Sequence, residues 1–154
     1  FVLACHLFCA IVTRADPKKQ NISEKLMNIV LWICPVVSLY ASAMVYSYAL
    51  GYAINAARAG TFLVGILFVV VGNYLPKCRQ SYTVGIKLPW TLDDEDNWYH
   101  THRFAGYVWI VLGLAILVIG LLGSFPSILL AAPIVAVVLP ALYSFLYAKR
   151  HGKA

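Results

Sequence analysis

The residues that could do chemistry lie in one polar stretch, Gly72–Gly106. It holds His100 and His102, which could ligate a metal ion, and the acidic run Asp93–Asp96, which could bind a cation. Residues two apart on a helix point to different sides, so the two histidines form a poor ligand pair. The acidic run lacks the alternating ligands and the glycine of a calcium loop. We therefore interpret the acidic residues as a helix cap and expect neither a metal nor a cofactor.

Enzyme motifs are missing from this stretch and from the rest of the sequence. There is no Ser-His-Asp arrangement, HExxH pair, Walker loop or dinucleotide-binding fingerprint. His102 with Arg103 could act on a lipid head group at the membrane surface. One histidine without a paired base or nucleophile is a poor catalytic set, however. We expect a protein that is not an enzyme.

Composition places the polar stretch in a membrane protein. The chain has 154 residues, of which 62% are hydrophobic and 12% are charged, and its mean hydropathy is +0.79. Soluble domains carry about 25% charged residues, so we expect much of this surface to face lipid. The four cysteines form no CxxC pair and no zinc spacing. We expect one all-α domain over residues 1–154, a polytopic transmembrane helix bundle.

Five apolar segments supply the helices of this bundle. They cover about residues 1–13, 26–52, 59–75, 104–122 and 127–147, and the polar loop 76–103 separates the third from the fourth. Spanning a bilayer takes about 20 residues, so the first segment is too short. We interpret it as the back half of a helix whose front half lies outside this sequence. The prediction is four full spans and a partial N-terminal span.

Glycines at heptad spacing mark the helix faces that approach each other. Gly65 and Gly72 are seven residues apart in the third segment, and Gly106, Gly113 and Gly120 repeat the spacing in the fourth. Small residues on one face allow a neighbouring membrane helix to come close. We expect these two faces to be packing surfaces.

The central loop contains residues that restrict its backbone conformation and a pattern that predicts the start of a helix. Pro76 ends the third segment, and Gly85 permits a backbone angle that other residues avoid. The stretch Thr91–Asp94 has the form of a capping box. We expect a helix that starts at Leu92 and continues directly into the fourth segment.

Side chains four apart on that helix should share a face. Trp98 and His102 form one such pair, and Asn97 and Thr101 form a second. We expect Trp98 to lie close to the membrane interface, where indole rings are favoured.

Arg103 stands at the predicted membrane edge. It could pair with Asp96 or Asn73, or bind a lipid phosphate. Trp90 is expected to anchor the loop at the interface, as Trp98 does.

Basic residues indicate how the bundle is oriented. The net charge of +6 could suggest nucleic acid, but the basic residues sit in short clusters between apolar segments, as topology determinants do. Eleven of the twelve fall on one side and only Arg58 on the other. The eleven are Arg14, Lys18, Lys19 and Lys25 in the first loop, Lys77, Arg79, Lys87 and Arg103 in the central loop, and Lys149, Arg150 and Lys153 in the tail. We expect these three regions to be cytoplasmic, without direct contact to nucleic acid.

Three short patterns in the polar stretch resemble the signature of the SdpI-like family of bacterial membrane proteins. They read G-N-x-x-P-K, then Y-x-x-G-I-K-x-P-W-T-L, then W-x-x-T-H-R-x-x-G. The matching residues are Gly72, Asn73, Pro76, Lys77, Tyr82, Gly85, Ile86, Lys87, Pro89, Trp90, Thr91, Leu92, Trp98, Thr101, His102, Arg103 and Gly106. The resemblance fixes order and spacing over roughly 35 residues.

The resemblance implies an immunity and signalling protein of the cell membrane. Its expected partners are the lipid bilayer, a secreted peptide toxin and a cytoplasmic repressor that the protein sequesters. Toxin engagement at the outer face would be coupled to exposure of the cytoplasmic loop, so the motif residues would bind the partner. Family members usually carry a further transmembrane segment and an extracytoplasmic loop upstream, and this sequence does not include them.

A small transporter or channel subunit is the alternative function. Pro35, Pro133 and Pro140 could break membrane helices, and broken helices line transport sites. Against this interpretation, the second to fifth segments carry no ionisable residue at mid-membrane depth, where ion carriers usually have one.

Overall fold

The computed structural model describes residues 2–123 and 126–152 of the chain, and this part is helical without a β-strand. The helices are α1 (Val2–Arg14), α2 (Glu24–Ala49), α3 (Ala56–Tyr74), α4 (Pro89–Asp93), α5 (Glu95–Leu122) and α6 (Pro126–Arg150), with 3-10 turns at Lys19–Asn21 and Leu75–Lys77. The sequence prediction of an all-α fold is therefore confirmed. Phe1, where the first predicted segment begins, lies outside the described residues.

Four of the helices are long and apolar enough to cross a membrane. These spans are Glu24–Ala49, Ala56–Lys77, Glu95–Leu122 and Leu129–Arg150, and α1 is a shorter apolar helix. Large apolar side chains cover their outer faces; Leu39 of α2, for example, is 73% exposed. Such a surface is stable against lipid chains and not against water. The protein is a multi-pass membrane protein.

The start of α5 is capped by an acidic residue, and it differs from the predicted helix start. Asp94 caps α5, and its side chain accepts a hydrogen bond from the Asp96 backbone N–H. The prediction that Thr91 caps a helix beginning at Leu92 was wrong. Pro89 already opens the short helix α4, and the extended backbone of Asp94 separates α4 from α5. Glu95 and Asp96 nonetheless lie in the first turn of α5, where they complement the helix dipole.

The glycine faces of α3 and α5 meet in the tightest contact of the described bundle, which we call the seam. A Cβ atom added at Gly106 would lie 2.8 Å from the Gly72 carbonyl oxygen. One added at Gly113 would lie 2.8 Å from the Gly65 carbonyl oxygen. At these distances the two backbones touch, so the predicted packing role of both glycine faces is confirmed.

The helices α1 and α2 form a separate hairpin that meets the other helices mainly at its loop end. Ile22, Leu26 and Cys78 are buried together there. On the other side of the bundle, α6 packs along α5, and the Trp109 indole N–H donates to the Ala136 carbonyl at 3.0 Å. The central loop lies where all three parts meet.

Candidate functional site

The candidate site, which we call the junction, comprises the central loop 78–94, the first turns of α5 and the first loop 15–22. Its centre is a tight turn in which the Ser81 hydroxyl accepts from the Val84 N–H at 3.1 Å and donates to the Val84 carbonyl at 2.7 Å. Gly85 follows with φ of +121°, as the sequence predicted. A Cβ atom at Gly85 would lie 2.5 Å from Nε2 of His102. Glycine is therefore required for both backbone angle and space.

His102 ties the loop to α5 from a completely buried position. Its Nε2 accepts from the Ile86 N–H at 2.8 Å, and its Nδ1 lies 2.8 Å from the Trp98 carbonyl oxygen. Because Nε2 is an acceptor, the proton must be on Nδ1, and the ring is neutral. The ring also stacks on Trp98 at 4.0 Å, which confirms the predicted shared face. With both nitrogens used, His102 is a structural residue of the loop.

Trp98 lies inside the protein and not among lipid head groups. Its side chain is only 2% exposed, and its indole N–H donates to the Cys78 carbonyl at 2.9 Å. The loop folds over α5 and supplies the hydrogen-bond partner that water or lipid would otherwise provide. Trp98 therefore does not anchor the loop through contact with lipid head groups, and its predicted depth near the interface stays a prediction. The same burial raises the pKa of the Cys78 thiol to about 11.

Thr91 closes the second half of the loop. Its hydroxyl accepts from the Leu88 N–H at 2.9 Å and lies 2.9 Å from the carbonyl oxygens of Ile86 and Leu88. Trp90 beside it packs edge-on against Phe145 of α6, with ring centroids 5.6 Å apart. Both residues thus hold the loop against the helix ends.

Asp16 of the first loop is a junction residue that the sequence did not reveal. Its Oδ2 accepts from the Tyr82 N–H at 3.0 Å, the Thr83 N–H at 2.9 Å and the Thr83 hydroxyl at 2.6 Å. Its Oδ1 accepts from the Lys18 N–H at 2.7 Å. Burial opposes the charge of Asp16, but the hydrogen bonds from Thr83, Lys18 and Tyr82 outweigh it and lower the pKa below its ordinary value.

Gln80 makes a second connection between the two loops. Its Oε1 accepts from Lys18 Nζ at 2.6 Å, and its backbone carbonyl accepts from the Asn21 amide at 2.8 Å. Its own Nε2 donates to the carbonyls of Thr91 and Leu92 at 3.0 and 2.7 Å. No spacing motif signals the contacts between the two loops, because these partners are 59 to 67 residues apart along the chain.

The second predicted pair on α5, Asn97 and Thr101, also forms and extends to α6. Asn97 Oδ1 accepts from the Thr101 hydroxyl at 2.9 Å and the Ser144 hydroxyl at 2.8 Å. The Asn97 amide donates to the Ser144 carbonyl at 3.1 Å. All three side chains are fully buried. This cluster fixes α6 against the start of α5.

The two histidines of the possible metal pair point apart. His100 is exposed and stacks on Tyr147 with ring centroids 5.2 Å apart, whereas His102 is buried beneath the loop. Within residues 2–123 and 126–152, no three His, Cys, Asp or Glu side chains come close enough to hold a metal ion.

Comparison with known proteins agrees with the motif. Residues 77–144 match the profile of the SdpI/YfhL protein family. The chain is also 32% identical over 126 residues to "Immunity protein SdpI" of Bacillus subtilis strain 168. Over these residues the chain is similar to the SdpI/YfhL family. The aligned part covers 80% of this chain and 58% of that relative, and no solved structure gives a significant match.

The structure divides the SdpI motif into two sets of residues. Buried or half-buried residues build the fold; they are Gly72, Pro76, Gly85, Ile86, Trp90, Thr91, Leu92, Trp98, Thr101, His102 and Gly106. Exposed residues face outward; they are Asn73, Lys77, Tyr82, Lys87, Pro89 and Arg103. The family match over residues 77–144 includes most of the junction, all of α5 and much of α6.

Arg103 is the exposed motif residue whose expected partner differs. Its Nη1 donates to the Tyr99 hydroxyl at 2.9 Å, and it pairs with neither Asp96 nor Asn73. Tyr99 is four residues earlier on α5, so the pair follows the helix surface. The guanidinium remains exposed and retains further donors.

Proposed function

We propose that this chain is an immunity protein against a secreted peptide toxin and that it acts by binding, without catalysis. The observation that carries the proposal is the match to the SdpI/YfhL family, together with a relative whose name is Immunity protein SdpI. The junction geometry supports a binding role, because its histidine and its indoles are committed to hydrogen bonds and packing.

The proposed orientation places the junction in the cytoplasm. The first loop and the central loop are joined through Asp16, and the end of α6 is joined to α5 through Ser144, so the three basic clusters lie at one end of the bundle. Arg58 is in the first turn of α3, at the opposite end. Basic residues favour the cytoplasmic side, so the tail and the central loop face the cytoplasm.

Signalling would pass from the outer ends of the helices to the junction. Toxin binding that shifts the α1–α2 hairpin would pull on the first loop, which holds the central loop through Asp16 and Lys18. Exposed motif residues, including Lys87 and Pro89, would then change their presentation to a cytoplasmic repressor. The protein would sequester the repressor at the membrane without touching DNA.

The division of the motif supports the exposed residues as the contacts of the repressor. Lys87 and Arg103 are exposed and can be changed without opening a cavity, whereas His102 is buried and its loss would disturb the fold. Alanine at both exposed residues should abolish membrane recruitment of a fluorescent repressor in toxin-treated cells. The membrane level of the protein should stay normal.

The control for this test is Lys25→Ala, which removes another exposed basic residue from the same end of the bundle. It should leave recruitment and survival unchanged. Survival is measured by challenging a deletion strain that carries each variant with medium conditioned by the parent strain. The deletion strain that carries no copy of the gene should be killed by this medium. If it survives fully, the immunity function is wrong.

Orientation is tested by thiol labelling of introduced cysteines. Lys87→Cys and Arg150→Cys lie at exposed positions of the proposed cytoplasmic end, and Asn55→Cys lies at the other end. The first two should react with an impermeant maleimide only in permeabilised cells, and the third in intact cells. The opposite labelling pattern would reverse the topology.

A further inference from the structure

A cleft of about 510 Å³ opens beside the junction, and the proposed function does not use it. Its lining includes Lys77 from the 3-10 turn after α3, Glu95 from the start of α5, Asn21 from the first loop, and Arg79 and Gln80 from the central loop. Its volume is within the range of small-molecule sites.

The cleft lies at the ends of two candidate membrane spans. Lys77 is the last residue of the span Ala56–Lys77, and Glu95 is the first residue of the span Glu95–Leu122. Asn21 ends the turn that precedes α2. All three wall elements therefore meet the cleft where hydrocarbon gives way to polar surroundings.

The polar side chains that line the cleft are of two kinds: amides that are already hydrogen-bonded, and charged groups that can bind a ligand. The Asn21 amide donates to the Gln80 carbonyl, and the Gln80 amide donates to the Thr91 carbonyl, so these polar groups are already used. Within the described part of the chain, Arg79 and Glu95 form neither a hydrogen bond nor an ion pair. Lys77 Nζ lies 4.7 Å from the centre of the Tyr74 ring, a contact that leaves its N–H groups available.

The signs of these charges select the ligand. Two cations favour a phosphate group, which Arg and Lys bind through charge-assisted hydrogen bonds. A purely anionic head group would leave Glu95 facing a like charge, whereas a primary ammonium next to the phosphate would give Glu95 a partner. A quaternary ammonium has no N–H to donate. The group that satisfies all three side chains is phosphoethanolamine.

We propose that this cleft binds the phosphoethanolamine head group of a membrane phospholipid, with the phosphate at Lys77 and Arg79 and the ammonium at Glu95. The proposal does not depend on the immunity function. It predicts a lipid site at the cytoplasmic end that links α3, α5 and the first loop.

The test measures lipid binding to the purified full chain in detergent by native mass spectrometry, with short-chain lipids that carry ethanolamine, glycerol or choline head groups. The ethanolamine lipid should bind at least about tenfold tighter than the choline lipid. The double variant Lys77→Ala, Arg79→Ala should bind the ethanolamine lipid more weakly than the parent chain, by a similar factor. Lys87→Ala, which lies outside the cleft, should leave binding unchanged.

Glu95→Gln separates the two halves of the site and serves if the double variant does not fold. It should reduce the preference for ethanolamine over glycerol head groups while the phosphate is still bound. Equal binding of all three lipids to the parent chain, or an unchanged preference in Glu95→Gln, would overturn the proposal. So would equally tight binding of free O-phosphoethanolamine, because the ligand would then be a soluble phosphate and not a lipid.

Discussion

The seam between α3 and α5 and the junction at their ends are held together by different interactions. At the seam, Gly65, Gly72, Gly106 and Gly113 let two backbones touch, and the contact consists of van der Waals packing. At the junction, side chains such as His102 meet particular backbone groups at 2.8 Å. The first region needs only the absence of side chains, and the second needs particular atoms at particular places.

This difference follows from the surroundings of the two regions. Between helices in a bilayer there is no gain from removing apolar surface from water, so close packing supplies the attraction. At the junction the chain leaves helix, and each buried backbone N–H and carbonyl must find a new partner. Asp16, Gln80, Thr91 and His102 provide those partners. The seam should therefore be sensitive to volume, and the junction to the loss of single polar atoms.

The largest effect is expected from Gly113→Leu at the seam. The first added atom would lie 2.8 Å from the Gly65 carbonyl oxygen and 2.9 Å from the Val69 nitrogen, both backbone atoms, so the helices must separate. We expect a loss of about 3 kcal/mol or more in the free energy of unfolding. Gly60→Leu on α3 is the matched control, because a Cβ there meets nothing within 4 Å. Thermal unfolding in detergent compares the two; equal midpoints would remove the seam from this account.

At the junction, His102→Ala should have the next largest effect. It leaves the half-buried Ile86 N–H without an acceptor and opens a cavity beside Trp98. The combined cost is about 2–3 kcal/mol. Arg103→Ala changes the adjacent exposed residue and should cost less than about 0.5 kcal/mol. If the two variants unfold at the same temperature, the histidine does not hold the loop.

Gly85→Ala tests whether the loop needs space as well as an unusual backbone angle. Gly51→Ala is the control, because Gly51 has φ of +80° and nothing near its Cβ position. Backbone strain is expected in both variants, at about 1–2 kcal/mol each. Only Gly85→Ala adds a clash with His102, so its unfolding midpoint should be the lower of the two. If Gly51→Ala had the lower unfolding midpoint, the loop would be able to move away from His102 at little cost.

The smallest effect is expected from Asp16→Asn, and it should depend on pH. The amide replaces one acceptor and costs about 1 kcal/mol near neutral pH. The pKa of Asp16 is lowered from 3.8 in the folded protein, so its carboxylate stabilises the fold above that value. As pH falls below about 4, the parent chain should lose this advantage, and the difference between the two proteins should shrink. A difference that stays constant down to the acid unfolding of both would contradict this role for Asp16.

The parts of the fold that sequence could predict are those with local or periodic signals. Long apolar segments gave the helices, and the spacing of Gly106, Gly113 and Gly120 gave the seam, because helical periodicity places such residues on one face. The pairs Trp98 with His102 and Asn97 with Thr101 followed from their separation of four residues.

Long-range contacts could not be predicted in the same way. Asp16 accepts hydrogen bonds from amides 66 and 67 residues away, and no sequence pattern near Asp16 predicts these partners. The capping-box form of Thr91–Asp94 predicts Thr91 as the helix cap, whereas the extended backbone at Asp94 makes Asp94 the cap of α5. Burial of Trp98 depends in turn on where the loop folds, which is a tertiary property.

The central loop is a folded structure that is docked on the helix ends. Hydrogen–deuterium exchange tests it most directly, because the amides of Tyr82, Thr83 and Ile86 are bound to Asp16 and His102. We predict that they exchange at least about tenfold more slowly than the exposed connector 51–55. In His102→Ala, protection at Ile86 should fall more than protection at Thr83. Exchange of the loop amides at the rate of the connector in the parent chain would contradict the claim.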